Sequence, residues 1–182
     1  MRPFDDINRL ERATWLDGPA TVARTVVQRV LRHQGLKDVL HGVWLGHPLH
    51  PGVAQFALGS FTSAAVLDAV RGPKSGSSGL IAAGLAATLP TVASGWADYA
   101  EAHEDQQRVG LVHAATNGTA VALFVTALVQ RANGGSGRVP SVVGGVIAGV
   151  GALLGGHLGY RQALGANHAE DITHIGPAAP AP

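Results

Sequence analysis

The sequence predicts an all-α fold: an integral membrane four-helix bundle of up-down-up-down topology, preceded by an N-terminal amphipathic surface helix. Three observations predict it. Charged residues make up only 14% of the 182-residue chain, against about 25% in an ordinary soluble domain. They leave four long stretches free of Asp, Glu, Lys and Arg, at residues 39–67, 75–97, 109–130 and 139–160. A helix needs about 20 such residues, rising roughly 1.5 Å each, to cross a hydrocarbon layer of about 30 Å. The short turns RGPKSGSS and RANGGSGR join the first stretch to the second and the third to the fourth. Connections of that length make neighbouring helices antiparallel.

In chain order, residues 1–46 form a polar segment with the surface helix, 47–161 the four-helix bundle, and 162–182 a polar, then Pro/Ala-rich tail. Residues 1–17 are mixed and charged and lack the apolar stretch of a cleavable leader. Pro19 can open a helix and Gly35 can close it. Between them Arg24, Gln28 and Arg32 share one side, and Val22, Val26, Val27, Val30 and Leu31 the other. Such a helix lies in a membrane surface or packs on the end of the bundle. Trp44, in the lead-in 36–46, suits an interfacial belt.

The spans read as 48–70, 77–97, 109–130 and 140–160. Pro48 and Pro51 fit the first turn of span one, where backbone N–H groups have no intrahelical partner. In span four, Gly145/Gly149 and Gly151/Gly155/Gly159 repeat the small-xxx-small spacing that lets helix backbones approach closely. The connection DYAEAHEDQQR between spans two and three is acidic and helix-prone, and the closing PAAPAP is expected to be disordered. The basic N-terminal segment favours the cytoplasmic leaflet, placing both termini in the cytoplasm.

Composition excludes several chemistries. The 13 Lys+Arg and 12 Asp+Glu nearly cancel, so no basic surplus exists to hold a nucleic-acid backbone. The absence of Cys excludes disulfides, thiolate zinc sites, iron–sulfur clusters and thiol nucleophiles in this chain. No nucleophile–base pair, phosphate loop or paired carboxylate site stands out, and the chain is not expected to be an enzyme.

The nine histidines carry the functional signal. In an up-down bundle the start of an odd span and the end of an even span share one membrane face. His47, His50 and His113 open odd spans, and Asp98 and His157 close even ones, so all five collect at the N-terminal face. His113 and His157 lie at matched depth, about 6–8 Å inside Arg108 and Arg161. Ionisable residues inside a span are functional candidates. Asn117, one turn beyond His113, can orient its imidazole or simply bond between helices. His103, His168 and His174 fall in polar segments of the same face, the last two within NHAEDITHI, a stretch of weak metal-binding character. His33 and His41 receive no role.

The order of GHPLHP before the first span, GWAD closing the second, HAATN opening the third and GGHLGY closing the fourth resembles a bacterial family of predicted four-helix membrane proteins. That family is known as the domain of unknown function 2231. The resemblance covers roughly residues 45–165 and rests on His47, Pro48, His50, Pro51, Gly95, Asp98, His113, Asn117, Gly156, His157 and Tyr160. Some members are joined to, or encoded near, a Rieske-type iron–sulfur domain, which implies electron transfer near a membrane. Lacking cysteine, this chain would meet such a cluster only in a separate protein.

Three readings follow. In the first, a b-type haem is held by two imidazoles from opposite sides, with His113 and either His157 or His50 as the axial pair. His50 across from His113 is the more workable pair if spans one and three are diagonal, and glycine-rich span four would face the porphyrin. In the second, His47, His50, Asp98, His113 and His157 form the ligand pool of a transition-metal ion such as zinc, iron(II), copper(II) or nickel. In the third, the protein is a membrane scaffold without a cofactor, its histidines making interhelical hydrogen bonds.

Overall fold

The computed structural model describes residues 5–165. Among them every regular element is helical: α1 (Asp5–Glu11), α2 (Asp17–Val30), α3 (Gln34–His41), α4 (Leu49–Ala69), α5 (Lys74–Ala100), α6 (Glu104–Ala132) and α7 (Arg138–Gly156). A π-helical turn, His157–Arg161, continues α7. Three of these, α5, α6 and α7 with its π turn, are long and apolar enough to cross a membrane. The 21-residue α4 is free of charge from Leu49 to Leu67 but carries Gln55, Ser60, Thr62 and Ser63, and it is not among the three.

The long helices outrun the charge-free stretches that announced them. Helix α5 starts at Lys74 and α6 runs from Glu104 to Ala132, because polar residues at an interface propagate a helix as readily as apolar ones. The acidic connection therefore shrinks to residues 101–103. Pro90 lies inside α5. It removes one backbone donor there, a defect that a membrane-buried helix tolerates when its neighbours are packed.

Helix α4 packs along α5 and α7, and α6 along α7 and, less extensively, α5. The core centre is a parallel stack of Phe61 on Phe124, ring centroids 4.2 Å apart, surrounded by Ala57, Ala64, Ile81, Ala120, Ala127 and Ala148. A second, smaller cluster of Val109, Leu154 and Leu158 receives Ile7 and Leu10 of α1. Near the opposite end from α1, a buried ion pair joins α4 to α6. Arg131 Nη2 lies 2.5 Å from Asp68 Oδ2, and Arg131 Nη1 reaches Ser77 Oγ and Ser78 Oγ at 3.2 and 3.0 Å. Ser77 also donates to Asp68.

The N-terminal segment differs from the single helix expected between Pro19 and Gly35. Leu31 leaves the helical region (φ −93°, ψ 61°) and buries its side chain, so α2 ends at Val30 and a separate α3 begins at Gln34, with Gly35 inside it. Helix α3 closes on Gly42 in the left-handed conformation (φ 81°), where a side chain would run into the backbone of His47 and Leu49.

This layer is seated on the bundle by its polar side. Arg24 Nε and Gln28 Nε2 both donate to the Ala100 carbonyl at 3.2 and 2.9 Å, satisfying a carbonyl at the end of α5 that has no intrahelical partner. Tyr99 Oη donates to Ala20 O. Arg108 pairs with Asp17 at 2.5 Å and donates to Glu11 O. The apolar side looks outward: Val22, Val26, Val30, Leu36, Val39, Trp44 and Leu45 are all exposed. Of the two expected placements, the structure shows the helix on the bundle end, with its valines left uncovered.

Candidate functional site

Pro48, with φ −53°, caps α4, and the first turn that follows carries His50. Its Nδ1 lies 3.0 Å from the carbonyl oxygen of Thr91 on α5. A carbonyl only accepts, so Nδ1 carries the proton and Nε2 keeps its lone pair in the neutral ring. The imidazole lies against Gly95, where a Cβ would come within 2.8 Å of the ring. Ser94 Oγ is 3.4 Å from the same nitrogen.

His113, in the third turn of α6, has the same surroundings on α7. Its Nδ1 lies 2.9 Å from the Gly151 carbonyl oxygen, and its ring lies against Gly155, where a Cβ would come within 2.8 Å. The tautomer is again fixed with Nε2 as the acceptor. Asn117 Nδ2 donates to the His113 carbonyl at 3.0 Å and lies across the imidazole, 3.2 and 3.3 Å from its two nitrogens. Both His50 and His113 are half-buried.

The remaining residues of the expected ligand pool go elsewhere. His157 begins the π turn, and its Nε2 is 2.6 Å from Glu11 Oε1, which also accepts from Gln162 Nε2 at 3.1 Å. That imidazole ties α7 to the N-terminal layer. Asp98 is buried beside His41, Oδ1 to Nε2 3.8 Å, and Gly165 closes over its carboxylate. His47 precedes α4 and is exposed. Among the described residues no three His, Cys, Asp or Glu side chains gather closely enough to hold a metal ion. The five-residue pool therefore reduces to His50 and His113, each bound between a pair of helices. His168, His174 and the stretch NHAEDITHI lie outside the described residues, as does the PAAPAP tail.

The glycines of α7 divide between the close helix approach their spacing implies, at Gly145, and seats for polar side chains. Gly151 and Gly155 are seats for the Asn117 and His113 side chains, and Gly145 faces Ala65, while Gly149 and Gly159 have no neighbour within 4 Å. The strip expected to face a porphyrin carries the His113 imidazole and the Asn117 carboxamide. Two partners escaped the sequence reading. His41 was given no role and Glu11 was one acid in a mixed segment, since no spacing links position 41 to 98 or 11 to 157. Asp68 could have been found: it is the lone acid in the last turn of an otherwise charge-free stretch.

No family model, no curated protein and no solved structure matches the chain.

Proposed function

We propose that the chain is a non-enzymatic protein of the bacterial cytoplasmic membrane, crossing it four times as an up-down-up-down bundle with both termini in the cytoplasm. It carries a histidine site at its N-terminal face for b-type haem or a transition-metal ion. Helix α4 is the additional crossing: its 21 residues span about 30 Å, and it packs along two helices apolar enough to cross. The outward valines and leucines of α2 and α3, with Trp15 and Trp44, suit the headgroup boundary, where an apolar face meets acyl chains. The motif order that resembles the domain of unknown function 2231 family supports the same four-span reading.

The observation that carries the site is the matched pinning of two imidazoles. His50 and His113 each donate through Nδ1 to a backbone carbonyl of a neighbouring helix, the arrangement that orients a ligating histidine and leaves Nε2 for the metal. An iron held there would act as an electron carrier at the membrane face, with a separate Rieske-type protein as the redox partner. A second reading, a scaffold without a cofactor, is favoured by a specific observation too: His50, His113 and His157 all make contacts between helices.

An absorption spectrum of the detergent-purified protein, oxidised and then dithionite-reduced, with metal analysis of the same sample, separates the two. The cofactor reading predicts a Soret band that shifts on reduction, or a metal ion in stoichiometric amount. Neither signal, with the protein folded, overturns it in favour of the scaffold.

A further inference from the structure

The surroundings of His50 recur at His113 because the helices that hold them recur. Positions 50, 57, 61 and 64 of α4 hold His, Ala, Phe and Ala, and positions 113, 120, 124 and 127 of α6, each 63 residues later, hold the same four residues. On the partner helices, Gly84 and Gly95 of α5 recur as Gly144 and Gly155 of α7, each 60 residues later. The contacts recur with the residues. Phe61 lies against Gly84 and Phe124 against Gly144, while His50 lies against Gly95 and His113 against Gly155. The carbonyls that receive the two histidines, Thr91 and Gly151, are also 60 residues apart, each four residues before its glycine.

Equivalent positions meet each other at the centre. Phe61 stacks on Phe124, and Asp68 pairs with Arg131, again 63 residues on. Residues that touch their own counterparts mark a two-fold axis. The levels 50, 54, 57, 61, 64 and 68 step by four and three along α4, the spacing of a helix seam, and their counterparts do so along α6. The symmetry is broken where residues differ. Gly145 meets Ala65, so α4 and α7 approach closely, whereas the counterparts Leu85 and Leu128 are bulky and α5 packs less extensively on α6. Asn117 answers to Ala54.

We infer that α4–α5 and α6–α7 are two copies of one helical hairpin related by a two-fold axis along the bundle, and that the axis makes one shared site in which Nε2 of His50 and Nε2 of His113 hold a single imidazole-liganded transition metal. This rests on the cofactor reading and sharpens it. The ligands are one per repeat, His47, Asp98 and His157 are not among them, and the bound ion ties one hairpin to the other. The metal has two sources, iron within a porphyrin or a free divalent ion, and the chemistry of the pair is common to both. No thiol in the chain competes for it.

The test is titration of the full-length protein in detergent, without added histidines, by haemin followed in the Soret region and separately by cobalt(II) followed by its visible absorption. His50→Gln and His113→Gln keep a donor for the carbonyl, so the hairpins stay closed, but remove the ligating nitrogen. We expect the wild type to saturate with one equivalent of one probe, and each Gln variant to weaken binding at least tenfold and to a similar extent. Gly95→Ala and Gly155→Ala, which displace the rings, should weaken it too, and His157→Ala should leave it within twofold. Binding that survives both Gln variants, or that is lost in His157→Ala, overturns the shared pair while leaving a cofactor at this face. Failure of the wild type to bind either probe overturns both.

Discussion

Arg131→Ala is expected to lower stability by about 3–5 kcal/mol, the cost of leaving a buried charge without its partner. The Asp68 side chain is fully enclosed and that of Arg131 is 8% exposed, so no water replaces the lost guanidinium. Asp68 would retain one hydrogen bond, from Ser77. The double variant Asp68→Asn, Arg131→Gln removes both charges together and should be markedly milder, because burying an ion pair gains little over a neutral pair. Thermal unfolding in detergent, followed by helical circular dichroism, checks this. Arg9→Ala, which breaks an exposed pair with Asp6, should leave the transition where it is.

Gly84→Ala is the second large effect. The new methyl would come within 2.6 Å of the Phe61 ring, and Phe61 cannot retreat without leaving its stack on Phe124. Overpacking of this kind costs about 1–3 kcal/mol. Gly149→Ala, on a stretch of α7 with no neighbour within 4 Å, should be neutral or stabilising by up to about 1 kcal/mol, since alanine favours the helix. Both variants add one methyl to a glycine in a long apolar helix. Opposite signs in the same unfolding measurement would show that packing, and not glycine content, sets their effect.

The long helices were legible in the sequence because a charge-free run is a local property. The argument that put His47, His50, Asp98, His113 and His157 at one end needed only chain direction, and the matched depth of His113 and His157 only the rise per residue; in the structure His50 and His113 each meet a backbone carbonyl of a neighbouring helix. It could not say that His157 would be taken by Glu11, because the path of the N-terminal layer over the bundle end depends on Arg24, Gln28 and Arg108 finding carbonyls and carboxylates 70 to 100 residues away.

The division of α2 from α3 was invisible for a similar reason. Leu31 breaks the helix to bury itself, and nothing in its neighbours' propensities requires that. The glycines of α7 show the same limit from another side. Their spacing reads as a helix-contact stripe, but whether a given glycine faces backbone, an imidazole or open space is decided by the helix opposite. The repeat that relates His50 to His113 is diluted to a few positions per helix, and it becomes plain when the same contacts recur.

The most direct test of the four-span arrangement is the side of the membrane on which each helix end emerges. The chain has no cysteine, so single substitutions at the exposed positions His47, Ser75, Glu104 and Ser136 give clean reporters for a membrane-impermeant maleimide. In sealed inside-out and right-side-out vesicles, His47→Cys and Glu104→Cys should label only from the cytoplasmic side, and Ser75→Cys and Ser136→Cys only from the opposite side. Labelling of Ser75→Cys from the same side as His47→Cys would mean that α4 does not cross, and would contradict the bundle on which the histidine site depends.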